Sequence, residues 1–124
     1  MNKIALFPGS FDPFTKGHEF IVSQGLEIFD EIIIGIGINT EKKYLFDIEK
    51  RIKHIEQIYR HENRVSIKRY TGLTVEFCKE VSASQILRGL RNSIDFEYEK
   101  PIAQMNRSMS EIETLFIVTS EKFS

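Results

Sequence analysis

Short apolar runs alternate with segments of helical period along almost the whole chain, and this alternation limits the possible folds more than any other feature. Lys3 to Phe7 is an apolar run closed by Pro8-Gly9, which predicts a buried strand entering a turn. Ile21, Gly25 and Ile28 recur at helical spacing within Gly17 to Phe29. Glu31 to Ile38 is isoleucine-rich and apolar throughout, as a strand covered on both faces requires. Asp47 can cap a helix that carries Ile48, Ile52, Ile55 and Tyr59 on one face. Val65 and Ile67 predict a third strand, Val75, Cys78 and Val81 a third helix, and Gln85 to Leu87 a fourth strand. Asp95 to Met109 reads as a helix containing Pro101, and Glu113 to Val118 as the fifth strand. Proline removes a helical hydrogen bond and clashes with the carbonyl four residues back, so this helix is kinked near Glu97 or split in two; the kink is favoured. Strands joined through helices of this length imply right-handed crossovers, and hence an α/β fold with an open, parallel five-stranded sheet and helices on both faces. Such sheets bind ligands beyond the carboxyl ends of their strands, where strand order reverses.

The chain has 124 residues, which favours one domain, and its 41% apolar and 28% charged residues are a globular composition. Lys and Arg total 17 against 18 Asp and Glu, a balance that argues against a nucleic-acid coat or a polybasic membrane binder. Cys78 stands alone, which excludes an internal disulfide framework and a cysteine zinc cluster. No segment has the form of an export signal or a membrane span. An intracellular protein is expected.

Two glycine motifs need separating. Gly35-Ile36-Gly37-Ile38-Asn39-Thr40 looks like a dinucleotide fingerprint, but it lacks the third glycine and lies inside a strand, so tight packing within the sheet is expected instead. The stronger signal is the turn Pro8-Gly9-Ser10-Phe11-Asp12-Pro13-Phe14-Thr15-Lys16-Gly17-His18. Gly9 leaves space where a ligand could approach, Ser10 offers a hydroxyl, and Phe11 an amide with an apolar wall. Thr15 sits where it can cap the next helix, whose amino end carries partial positive charge and free amides. His18 adds a donor there for a phosphoryl oxygen; as an isolated histidine it would instead be read as a local cap.

Gly9-Ser10-Phe11-Asp12-Pro13 followed by Thr15-Lys16-Gly17-His18 resembles the signature of the nucleotidyltransferase superfamily. Arg88-Gly89-Leu90-Arg91, Asp95-Phe96-Glu97-Tyr98-Glu99 and Met105-Asn106-Arg107 narrow the resemblance to the bacterial phosphopantetheine adenylyltransferases, over the whole chain in order. The resemblance implies a Rossmann-like sheet and transfer of the adenylyl group of ATP to 4′-phosphopantetheine, giving dephospho-coenzyme A and pyrophosphate in coenzyme A biosynthesis. It implies His18 as the transition-state stabiliser; Ser10, Phe11, His18, Gly89, Leu90, Arg91, Glu99, Phe123 and Ser124 at ATP; and Ser10, Lys42, Thr74 and Arg88 at the acceptor. The helix terminus should lower the pKa of His18 and bound phosphates should raise it. Arginine suits phosphate because its planar fork donates two parallel hydrogen bonds, although Arg88 and Arg91 could equally pair with Glu99 or Asp95. Taken alone, Lys42-Lys43 would be a solvated turn pair.

The resemblance further implies magnesium carried with ATP, feedback inhibition by coenzyme A, a homohexamer and a cytoplasmic location. His18, His54 and His61 are scattered, so no metal site in the protein itself is expected. Lys42 to Arg69 holds nine basic residues against four acidic ones, a stretch that can steer anions but reads mainly as solvated helix face. Related enzymes with another acceptor, and a nucleotide- or coenzyme A-binding module without turnover, are the alternatives. Family members continue beyond Ser124 into a serine-rich turn that closes over the ATP phosphates. The expectation is thus one domain, 1–124, lacking the C-terminal helices of the family, with weaker ATP binding if the chain truly stops there.

Overall fold

A computed structural model describes residues 2–119 of the chain. Among them lie five strands and four helices in strict alternation: β1 (Ile4–Gly9), α1 (Lys16–Gly25), β2 (Glu31–Gly37), α2 (Ile48–Ile58), β3 (Val65–Tyr70), α3 (Thr74–Glu80), β4 (Gln85–Leu90), α4 (Ser93–Ser110) and β5 (Glu113–Val118). The strands form one all-parallel sheet in the order β3-β2-β1-β4-β5, the Rossmann-like arrangement expected. No helix of the described residues is long and apolar enough to cross a membrane.

The two faces of the sheet follow from the two-residue period of its strands. Ala5 and Phe7 of β1, Ile32, Ile34 and Ile36 of β2, and Leu87 of β4 point to one face, where Ile21 and Val22 of α1 and Ile55 of α2 cover them. The intervening residues Leu6, Ile33 and Ile86 meet Val75, Phe77 and Cys78 of α3 on the other face. There α4 packs on β4 and β5, with Phe96 edge-on to Phe116 at 5.7 Å. Burial on both sides explains why β2 reads as one apolar run rather than an alternation. Gly35 lies within β2, and a Cβ there would come within 2.8 Å of Leu6, so the false fingerprint is indeed a packing feature.

Several boundaries differ from those read in the sequence, each for a tertiary reason. β4 continues through Arg88, Gly89 and Leu90, which pair with Phe116, Ile117 and Val118 of β5, so these residues lie in the strand and not after it. β1 likewise takes in Pro8 and Gly9, which pair with Gly35 and Ile36. On its other side β1 is in register with β4 only at Ala5–Gln85 and Leu6–Ile86. Pro8 therefore lies where that side of the strand has become an edge, the setting that tolerates a missing N–H. α1 ends at Gly25, and Ile28, placed on its apolar face by spacing, lies beyond it and is 49% exposed. α4 is one helix running through Pro101, not two pieces. Asp47 caps α2 as expected, accepting the Lys50 amide at 2.9 Å.

Gly25 shows how closely α1 approaches the sheet. A Cβ at this position would meet Ile32 at 2.6 Å and Leu87 at 2.8 Å, and both of those side chains are fully buried. Alanine gains up to ~1 kcal/mol of helix propensity over glycine, whereas overpacking a dense core costs ~1–3 kcal/mol. The expected result for Gly25→Ala is a net loss of about 1 kcal/mol in chemical denaturation; a stabilised variant would show that this contact relaxes freely.

Candidate active site

The strand order reverses between β1 and β4, and beyond Leu6 and Ile86 these two strands no longer share a ladder. A cleft of about 790 Å³ opens there at their carboxyl ends. Its walls include Gly9, Ser10, His18, Arg88, Arg91 and Glu99. Two smaller cavities adjoin it. One, about 350 Å³, lies against α3 and α4, with Thr74, Ile102, Met105 and Asn106 in its lining. The other, about 300 Å³, lies towards β2 and β3 and is lined by Ser10, Lys42, Tyr44 and Tyr70 among others. Gly9 borders all three, so the end of β1 is their common corner.

The turn after β1 is built around aromatic packing. Phe11 adopts a left-handed backbone with φ of 50°, uncommon for a bulky residue, and its ring is only 3% exposed. That ring fills the space beside Gly9, where an added Cβ would lie 3.0 Å from it. The missing side chain at Gly9 therefore makes room for Phe11, a different reason from the ligand approach expected from the sequence.

Thr15 and His18 then start α1 as a reciprocal pair. The Thr15 hydroxyl accepts the His18 amide at 3.4 Å, and His18 Nδ1 accepts the Thr15 amide at 2.8 Å. This is a capping box in which an imidazole takes the place usually held by glutamate or glutamine. Because Nδ1 accepts, the ring hydrogen lies on Nε2 and remains available as a donor. The ring packs among Phe11 at 5.0 Å, Phe14 at 5.1 Å and Phe7 at 6.0 Å. Burial among these rings, and secondarily the positive charge of Arg88, lowers the His18 pKa to about 4. The direction agrees with expectation, but the cause is desolvation and Arg88 rather than the helix terminus.

Arg88 spans the gap between the parting strands. Its Nη1 donates to the Pro8 carbonyl at 2.7 Å, while Nε and Nη2 donate to the two carboxylate oxygens of Glu99 at 3.0 and 2.8 Å. Glu99 is 9% exposed despite standing two residues before Pro101, and α4 turns it inward onto this arginine. Arg91 pairs with Asp95, whose pKa is lowered chiefly by the Arg91 amide and then by its side chain. Both arginine–carboxylate pairings weighed from the sequence thus occur, and they coexist with positions on the cleft.

Of the expected site residues, Ser10, Phe11, His18, Arg88, Gly89, Arg91 and Glu99 line the main cleft. Lys42 lines the cavity towards β2, and Thr74 the cavity towards α4, where its hydroxyl meets the Tyr70 hydroxyl at 3.0 Å. Leu90 is set back from all three; its carbonyl accepts the Thr119 amide at 2.7 Å. Phe123 and Ser124 lie outside the described residues. Arg51, counted with the solvated basic face of Lys42 to Arg69, is instead buried, and the sequence carried a signal for it. Arg51 stands three residues after Ile48 and four before Ile55, on the apolar stripe of α2, and it is 5% exposed. Among the described residues no group of three or more His, Cys, Asp or Glu is placed to hold a metal ion.

Comparison with known proteins gives this geometry a context. The cytidylyltransferase-like family model matches residues 6–122. The phosphopantetheine adenylyltransferase of Flavobacterium johnsoniae is 52% identical over 120 residues, which span 97% of this chain and 79% of that protein. That of Cytophaga hutchinsonii is 50% identical over 121 residues, spanning 97% and 81% respectively. Among solved structures, a bifunctional NMN adenylyltransferase/ADP ribose pyrophosphatase from Francisella tularensis superposes with a TM-score of 0.70 at 23% identity. That match covers 94% of this chain and 38% of the other, and it shows a shared fold. The family model spans nearly the whole sequence, and about half of the aligned positions are identical in relatives that cover 97% of it: the chain belongs to the phosphopantetheine adenylyltransferases of the cytidylyltransferase-like family.

Proposed function

We propose that this chain transfers the adenylyl group of ATP to 4′-phosphopantetheine, yielding dephospho-coenzyme A and pyrophosphate. The observation that carries this reading is the meeting of three cavities at Gly9 in a chain whose relatives bear that activity in their names. The main cleft, with the amino end of α1, His18 and Arg91, suits a nucleotide and its phosphates. The cavity on α4 combines an apolar wall of Ile102, Met105 and Met109 with the polar groups of Thr74 and Asn106, which suits a pantetheine arm. Ser10 and Lys42 face the third cavity and suit the acceptor phosphate.

In this reading an oxygen of the acceptor phosphate attacks the α-phosphorus in line. A phosphorus–oxygen bond forms as the bond to the β-phosphate breaks, and pyrophosphate leaves with the electron pair. The nucleophile is already an anion, so no general base is needed, and the work of the protein is to hold two repelling anions together. His18 donates from Nε2 to an oxygen of the α-phosphoryl group as charge builds there, while its Nδ1 stays anchored at Thr15. Arg88 is held by Glu99 and Pro8 at the boundary of the nucleotide and acceptor cavities, where it can draw both substrates together. Magnesium would come with the nucleotide and neutralise phosphate charge, since among the described residues no group of three or more His, Cys, Asp or Glu is placed to hold it. The resemblance also supports a cytoplasmic homohexamer inhibited by coenzyme A.

Product analysis tests the assignment. With magnesium and ATP, phosphopantetheine is expected to yield dephospho-coenzyme A, and neither CTP nor nicotinamide mononucleotide should replace its partner. Absence of product from ATP and phosphopantetheine would sink the reading. For His18→Ala the expected loss in kcat is about 100-fold or more, with ATP affinity changed only a few-fold; turnover near wild type would remove His18 from the chemistry.

The pH behaviour follows from the lowered pKa of His18. The folded protein binds fewer protons than the unfolded chain between about pH 4 and the ordinary histidine value of 6.5, so stability falls as pH drops through that window. In NMR titration His18 of the free protein should titrate near 4 and move upward when ATP is bound. A free-protein value at or above 6.5 would contradict the Nδ1 acceptor role.

A further inference from the structure

The β2–α2 loop, residues 38–47, carries Lys42 but contains no helix or strand of its own. It is fastened from two sides. The Asp12 carboxylate accepts the Leu45 and Phe46 amides at 2.5 and 2.8 Å. From beneath, Arg51 donates through Nε to the Phe46 carbonyl at 2.9 Å and through Nη1 to the Ser10 carbonyl at 2.8 Å. The Arg51 guanidinium also lies 4.2 Å from the centre of the Tyr44 ring, and Lys42 Nζ lies 5.5 Å from that same centre.

Arg51 is 5% exposed, yet no ion pair among the described residues includes it. A buried cation without a carboxylate is costly, and an aliphatic residue would suit the apolar stripe of α2 better on packing grounds alone. What arginine supplies here is a planar fork that reaches two carbonyls at once, one in the loop that carries Lys42 and one at Ser10 itself.

We propose that Arg51, together with Asp12, is a positioning residue that locks the Lys42 loop to the Ser10 turn, so that Lys42 and Ser10 engage the same acceptor phosphate. This rests on the adenylyl-transfer reading above. Arg51 touches no substrate in this account; it acts through where it holds Lys42. Lysine at this position keeps the charge but not the fork, and therefore loses one of the two anchors.

The test is a double-mutant cycle on the full chain: wild type, Arg51→Lys, Lys42→Ala and the double variant, with each substrate varied separately and thermal stability recorded. Arg51→Lys is expected to raise the KM for phosphopantetheine about ten-fold while the KM for ATP stays within about two-fold. In the Lys42→Ala background the same change should alter the acceptor KM by less than about two-fold, because the group being positioned is gone. An equal cost in both backgrounds, parallel losses for ATP and acceptor, or a lower melting temperature with unchanged kinetics would each overturn the proposal. If Arg51→Lys does not fold, the same cycle with Asp12→Asn, which releases one of the two loop amides, decides the matter alone. Wild-type protein that forms no product overturns the underlying reading and this proposal with it; wild-type turnover with an additive cycle overturns this proposal only.

Discussion

The parting of β1 and β4 is the constraint on which the site depends. Parallel strands normally stay in register along their length, but these two share only the pairs at Ala5 and Leu6. Past that point the Pro8 carbonyl has no strand neighbour on this side, and Arg88 answers it across the gap. The cleft follows from that separation, as does the presence of an arginine at its floor. Glu99 then neutralises and orients the guanidinium from α4, which ties the helix on one face of the sheet to the turn at the end of β1. Strand geometry, charge balance and cavity shape are thus one arrangement.

A second dependence runs through the start of α1. A helix leaves its first amides without intrahelical partners, and an anion site needs those amides to stay open to the cleft. Thr15 and His18 satisfy each other and fix the helix end while leaving Nε2 of the imidazole unspent. Glutamate would complete the same capping box but would place a negative charge at the mouth of the cleft where the proposed reading puts the phosphates. A histidine kept neutral by Phe7, Phe11, Phe14 and Arg88 caps the helix without adding a negative charge there. One side chain therefore serves the fold and, in the proposed reading, the chemistry as well.

Much of this was legible in the sequence, because its signals are local. The isoleucine run of β2, the spacing of Ile48, Ile52 and Ile55, the Asp47 cap and the Pro8 to His18 turn each depend on neighbours along the chain. Misjudged boundaries occur where distant pairing outweighs local preference. Arg88 and Gly89 have the composition of a turn, yet β5 supplies their backbone partners and keeps them in β4. Pro8 and Gly9 look like a strand end, but β2 holds them in register on the one side that remains paired. Ile28 has helical spacing, but the chain must turn at Gly25 to bring Asp30 onto the Lys3 backbone, and the helix stops.

By itself, then, the sequence determined the alternation of elements, the parallel sheet, the Pro8 to His18 turn and the side chains gathered at it, since periodicity, capping and short motifs are encoded within one or two turns of chain. Only the tertiary structure decided that β1 and β4 separate, that Glu99 faces Arg88, that Gly9 makes room for Phe11, and that Arg51 lies buried beneath the Lys42 loop. Each of these joins residues far apart in sequence through hydrogen bonds or ring contacts of fixed direction. Such contacts leave no periodic trace along the chain, because what selects them is the distance left open when helices pack on a twisted sheet.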